Sequence, residues 1–508
     1  MEELQNNNKK IAKNTIIVYI ELFTTIIINL VISRLVLQAL GASDFGLYNV
    51  VGGVVAMFTF VSSSMATTTI RFLNFEMGKK GDVNRIFNQS LFLHIIFSIV
   101  ILLFLESLGV FYINNYLNVD YGKETDAMFV FQVSTIVACL GIISVPFQSL
   151  FVAFEQFSTI AIVNVINAFV KLLMVLALLL YEGNALRFYA VGMSVITFLS
   201  FLFYYYLSVR KWPKIVKWKI VRKWKSYKDQ LYYSNWNLLS TASLVGRNQG
   251  SAILINLFFG TTVNAAYAIS VTILHQVNNF IGKFDTAVAP QITQNLGSGN
   301  FDRSTYLTSH TCRVCILLME ILFFPLYIEL DFLLHLWLGN NVPEGTLVFS
   351  QYTLIIAVVS STSGGLVQLI NGTGKIKWFK IQSFLWYISP LIVCYVLFTM
   401  GYPPFIIVLL FVLADVFNRA TQLFLLHRMF SFDIRKFVSE AYSRPGLVFL
   451  IMMLYMWLYG HISKPISIHH LAGMAATAIL VLFLCIVVGL YRTERIKIIQ
   501  LIRNKWIR

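Results

Sequence analysis

The chain has 508 residues, of which 57% are hydrophobic and only 12% charged, with a formal net charge of +16 at pH 7. A water-soluble domain carries about 25% charged residues, so this composition excludes a soluble globular protein and points to a polytopic helical membrane protein. The 15% aromatic share suits helices whose ends meet lipid headgroups.

A helix needs about 20 mostly apolar residues to cross the hydrocarbon core. The N-terminal MEELQNNNKKIAKN is polar and lacks a small-residue cleavage site, so no cleavable signal peptide is expected. The spans expected after it are 14–40, 45–70, 87–112, 126–153, 158–181, 187–209, 232–258, 263–290, 305–330, 346–370, 378–399, 403–427, 445–461 and 468–490, about 14 transmembrane helices in all. Gly41, Gly260, Pro343, Gly345, Gly372, Gly374, Pro403, Pro404 and Pro465 punctuate the short loops. The five cysteines all lie in apolar stretches. Cys312 and Cys315 form a lone C-x-x-C without the further ligands that a zinc site needs, so they read as small buried residues and no metal is expected.

With the N-terminus placed in the cytoplasm, most of the 39 Lys and Arg fall in inner segments, and only Lys123, Arg187 and Lys464 fall outside. Both termini are therefore expected inside, and the basic charge is mainly a topology signal. The densest basic run, RKWPKIVKWKIVRKWKSYK at 210–228, follows the sixth span. Interleaved with tryptophan, it reads as a linker that meets anionic lipid headgroups, and nucleic acid is not an expected partner.

Spans 1–6 and 7–12 read as copies. Gly41, Tyr48 and Gly78 recur as Gly260, Tyr267 and Gly297 at an offset of 219, Arg85 recurs as Arg303 and Gln148 as Gln368. An even number of spans per copy gives parallel repeats, an architecture of transporters. The expected domains are an N-lobe at 1–209, the basic linker at 210–231, a C-lobe at 232–430, and spans 13–14 with a basic tail at 431–508.

A charge at the bilayer centre costs at least about 2.5–3.5 kcal/mol and marks a functional candidate. Asp415 and Arg419 are one turn apart and are expected to form a structural ion pair. Arg313, near an inner end, is expected to snorkel to the headgroups. Arg34 and Arg247 have no acidic residue one turn away on their own helices. They serve either an anionic ligand, which guanidinium binds through a planar fork, or bonds to backbone carbonyls. Lys283 is a third candidate for that ligand. Glu21 and Asp285 are candidates for coupling to Na+ or H+, with an ion pair as the alternative for Glu21.

The stretch SRLVLQALGASDFGLYNVVGG (33–53) resembles the opening of polysaccharide-biosynthesis membrane proteins, the O-antigen (Wzx-type) flippases. APQITQNLGSGNFDR (289–303) is similar to their second-half inner turn and to that of multidrug and toxin extrusion (MATE) transporters. LLHLWLGNNVPEG (333–345) and LINGTGKIKWFKI (369–381) resemble the turns that follow. The resemblance implies the fold of the MOP exporter superfamily, two six-helix lobes around a cavity that opens to each side in turn, plus two C-terminal helices. It also implies a substrate carried on a polyprenyl diphosphate, with Arg34 and Arg247 as the residues here that would meet the anion.

The expected function is movement of an undecaprenyl-diphosphate-linked oligosaccharide across the bacterial inner membrane by ion-coupled alternating access. It would work beside polysaccharide polymerase and glycosyltransferases, with no catalytic residue and no cofactor beyond Na+ or H+. The alternative is a MATE-like antiporter of cationic drugs or metabolites, disfavoured by six intramembrane bases against four acids. A glycan polymerase would need a long outer loop that the chain lacks. NGTGKIK is not a P-loop, because Leu369 stands where the first glycine belongs.

Overall fold

The computed structural model describes residues 2–56, 58–116, 122–219, 221, 225–338, 342–459, 467–492 and 494–495. Among them the chain is helical throughout, without strands, in the order α1 (Glu2–Ala56), α2 (Thr59–Gly78), α3 (Val83–Phe104), α4 (Val110–Tyr116), α5 (Glu124–Ala153), α6 (Phe157–Leu179), α7 (Ala185–Lys211), α8 (Pro213–Val216) and α9 (Lys225–Gly297). There follow α10 (Phe301–Ile328), α11 (Leu330–Leu338), α12 (Thr346–Ser361), α13 (Leu366–Thr373), α14 (Lys377–Thr399), α15 (Ile406–Phe430), α16 (Ile434–Ala441), α17 (Ser443–Tyr459) and α18 (Ser467–Leu484). A single π turn, Leu105–Gly109, joins α3 to α4, and another, Cys485–Gly489, closes α18.

Eight helices among the described residues are long and apolar enough to span a bilayer, or up to ten if each of two bent pairs, α12–α13 and α16–α17, counts as one span. The other four of the fourteen expected spans lie in α1, α2 and α9, and α9 carries Arg247, Asn248, Gln249, Lys283 and Asp285 among its apolar residues. Leu103, Leu173, Leu180, Leu450 and Ile479 point outward unburied, as side chains facing lipid do. The chain is a multi-pass membrane protein.

Gly41, where a turn is expected, falls within α1, and its surroundings lie outside the described residues. Its counterpart Gly260 breaks α9, with φ 80°, a conformation that glycine adopts without a Cβ penalty.

Two compact units emerge, one of Met1–Thr241 with Thr293–Asn300, the other of Ala242–Ile292 with Phe301–Arg508. In the first, one core forms around Val51, Leu105, Val130, Phe131 and Leu186, and another around Leu73, Phe87, Leu150 and Phe151. The basic linker is tied down in this unit. The Asn84 amide donates to the carbonyls of Lys214, Ile215 and Lys217, and Trp212 stacks on Phe154 at 4.6 Å. Lys214, Lys217, Trp218 and Lys219 remain exposed. Lys123 and Arg187 pair with Asp44 and Asp126, each at 2.6 Å.

The segment 293–300 belongs to the first unit because it packs on α2. A methyl group at Gly78 would overlap the Gln294 carbonyl, and one at Gly297 would overlap the Phe75 carbonyl. The Gln294 amide adds hydrogen bonds to the Ala153 carbonyl at 2.9 Å and to Asn74 Oδ1 at 3.3 Å. The two repeat-related glycines therefore face one another.

In the second unit Ile255, Phe349, Phe398, Ile407 and Phe411 build the core from α9, α12, α14 and α15. The added helices α17 and α18 pack against α10. Glu329, just after α10, accepts from Tyr459 Oη at 2.7 Å and meets His470 Nδ1 at 2.6 Å.

Candidate functional site

Arg247 sits on α9, one turn from Ser251, whose hydroxyl donates to its carbonyl at 2.7 Å. It is 7% exposed, and its Nη1 lies 3.2 Å from both carboxylate oxygens of Asp415 on α15. The guanidinium also lies over the Phe411 ring at 4.2 Å. Such a pair is close, hydrogen-bonded and shielded from water, so each charge is compensated where it lies. The ion pair expected between Asp415 and Arg419 gives way to this one. Arg419 instead donates to Gln422 Oε1, and its Nε lies 3.3 Å from Thr362 Oγ1. Spacing along one helix identified a possible neighbour of Asp415, and packing of α15 against α9 supplied a better one.

Glu21 on α1 is 7% exposed and accepts from Asn164 Nδ2 of α6 at 3.1 Å. One turn along α6, Asn167 Oδ1 accepts from Ser200 Oγ of α7 at 2.9 Å. This places a carboxylate, two amides and a hydroxyl on three neighbouring helices of the first unit. Oxygen atoms of this kind can ligate a hydrated or partly dehydrated cation, and the carboxylate can hold a proton.

Asp285 on α9 spends both oxygens on the bend between α12 and α13. Oδ1 accepts from the Gly365 backbone N–H at 2.7 Å and Oδ2 from Gln368 Nε2 at 3.0 Å. Gly365 has φ 70° and immediately precedes α13, so the carboxylate lies at that helix's positive end. Lys283 is half-buried on the same helix. Arg34 lies on α1, and its side chain is outside the described residues.

Arg313 does not snorkel. It is 3% exposed, pairs with Glu494 beyond α18, and donates to the Glu440 carbonyl at 2.7 Å. His310 Nε2 approaches the same carboxylate at 3.2 Å, and the Arg313 and Arg444 guanidiniums lie over the Tyr491 ring at 4.4 and 3.9 Å. Burial alone would raise the Glu494 carboxyl. The hydrogen bond and charge of His310, the Tyr491 N–H and Arg313 outweigh it and hold the group down at about 2.

Three buried polar residues were not assigned roles from sequence. Arg71 on α2 is wrapped by Phe72, Phe75 and Tyr233, with its guanidinium 4.5 Å from the first two rings. Glu320 on α10 is 1% exposed. His94 on α3 is 1% exposed, and its signal was a lone imidazole in a strongly apolar span.

A family model described as polysaccharide biosynthesis protein matches residues 11–296, more than half of the chain. The chain belongs to the polysaccharide biosynthesis protein family. Solved structures show that its fold is that of the MATE and MOP transporters. An outward-facing multidrug resistance MATE family transporter of the MOP superfamily is 12% identical, with a TM-score of 0.72 over 86% of this chain and 97% of that one. A MOP superfamily transporter from Pyrococcus furiosus, described as having a binding pocket of reversed polarity, is 12% identical, with a TM-score of 0.70 over 83% and 95%. A MATE transporter in complex with Rb+ is 14% identical, with a TM-score of 0.66 over 85% and 97%. A search of curated proteins finds no match.

Proposed function

We propose that this family member is a flippase that moves a polyprenyl-diphosphate-linked oligosaccharide across the bacterial inner membrane during cell-surface polysaccharide biosynthesis. The observation that carries the reading is the family match over residues 11–296 on a chain with the MATE and MOP fold. No bond of the substrate needs to change. The protein has only to give a charged headgroup a path across while the lipid tail stays in the bilayer, so no catalytic residue is invoked. Both termini face the cytoplasm in this reading, with exposed Lys214, Lys217 and Lys219 toward anionic headgroups.

Coupling to Na+ or H+ is assigned to Glu21 with Asn164. The solved relative holding Rb+ supports coupling to a monovalent cation, and the buried carboxylate beside an amide supplies the chemistry. Arg247 contributes to a cationic headgroup site only if Asp415 releases it. Arg34 is the other residue assigned to the diphosphate in this reading.

Reconstitution into vesicles tests the proposal. The protein should translocate a fluorescent polyprenyl-diphosphate-linked oligosaccharide faster under an imposed Na+ or proton gradient, and Glu21→Gln should remove that acceleration. Exchange of a cationic drug without lipid translocation would replace the flippase with the antiporter.

A further inference from the structure

Inside the first unit, α2, α3 and the 225–241 part of α9 enclose a small cavity with an accessible volume of about 10 Å3. Its polar lining is Thr68, Thr69, Ser90, His94, Gln230 and Ser234. The residues are 5% exposed or less, and three of their atoms have no hydrogen-bond partner among the described residues: His94 Nε2, Gln230 Nε2 and Ser234 Oγ. A buried polar atom without a partner costs about 1–3 kcal/mol, so three around one cavity call for a shared ligand. One water molecule needs roughly 10–15 Å3 of such space and two to four polar partners, and the cavity meets both conditions.

The hydrogen bonds around His94 also fix the state of its ring. His94 Nδ1 lies 2.7 Å from the Ser90 carbonyl oxygen, which can only accept. Nδ1 therefore carries the proton, and in the neutral ring Nε2 faces the cavity as a bare lone pair. Gln230 Oε1 is taken by the Ser90 hydroxyl at 3.3 Å, which leaves its amide N–H to the cavity. The ligand must donate to His94 and accept from Gln230, which a water does and a bare metal ion does not. No charged or other titratable side chain is among the residues that α2, α3 and α9 present to this cavity.

We propose that the cavity is an internal water site and that His94 is a proton-binding residue reached through that water. Protonation turns Nε2 from acceptor into donor, while Nδ1 keeps its bond to Ser90. The new charge then meets only hydroxyls and one amide, with no carboxylate to compensate it. The imidazolium is favoured where more water enters, which means where α3 moves away from Gln230 and Ser234. Proton uptake is thereby linked to separation of these helices. The link to transport rests on the flippase reading, whereas the water and the protonation do not.

Solid-state NMR on the full-length chain in lipid, labelled with 15N-histidine, tests the site without any transported substrate. The signal missing from His94→Gln is that of His94. The expected neutral ring is protonated at Nδ1, shows a Nε2 cross-peak to water, and converts to imidazolium on acidification. Combined Gln230→Leu and Ser234→Ala should remove the water cross-peak and leave the Nδ1 tautomer in place. An Nε2-protonated ring, no water contact in the wild type, a contact that survives the double substitution, or a ring neutral until the protein unfolds would each overturn the proposal. Vesicle translocation is read separately, so failure of one leaves the other standing.

Discussion

At the scale of single residues, the decisive feature is that a buried charge takes its partner from packing. Arg247 and Asp415 stand 168 positions apart in sequence and 3.2 Å apart in space. The sequence pairs Asp415 with Arg419 one turn away, and helix periodicity alone has no means to place α9 beside α15. Breaking a buried pair by removing one member costs about 3–5 kcal/mol, because the other charge stays buried. Arg247→Ala is therefore expected to lower the thermal unfolding temperature of the purified protein sharply. Arg247→Met with Asp415→Leu should recover most of the loss. If the double variant were as unstable as the single one, the pair would not be the source of the effect. Glu21 was legible as a buried carboxylate, yet its contact with Asn164 was not, for the same reason.

At the scale of elements, the glycines carry the clearest continuity between sequence and structure. The sequence pairs Gly78 with Gly297 by their common offset, and the structure packs them where neither tolerates a Cβ. The contact has backbone on both sides, so relief by a side-chain rotation is not available. Gly297→Val should force the 293–300 segment away from α2. A disulfide between Asn74→Cys and Gln294→Cys, formed readily in the parent, should then form much more slowly. Equal cross-linking with and without the valine would show that the close approach does not matter. Gly260 uses a glycine differently: it breaks α9 with a positive φ, where a side chain would be strained.

At the scale of the whole molecule, the all-helical, membrane-spanning character was readable because it is a long-range average that lipid imposes on any such chain. Contacts made by the C-terminal segment were not readable, since Glu494 lies beyond the last span and its partners sit on α10. The pH dependence of this contact has a definite sign. The folded carboxyl is depressed from 4.5 to about 2, so its contribution to stability is present above about 4.5. That contribution falls away as pH drops from there toward about 2. Unfolding of the wild type should grow easier across that window, and Glu494→Gln should flatten this part of the profile, read by thermal unfolding at stepped pH. An unchanged slope in the variant would remove Glu494 as the titrating group.

The bend of 51° between α12 and α13 opens a helix end inside a span. Asp285 closes it by receiving the Gly365 N–H, and Gln368 holds the second oxygen. In hydrocarbon a released N–H and a released carboxylate would both lack partners. Asp285 thus pins the bend to the part of α9 that follows Gly260, in the manner of a cotter pin joining two shafts.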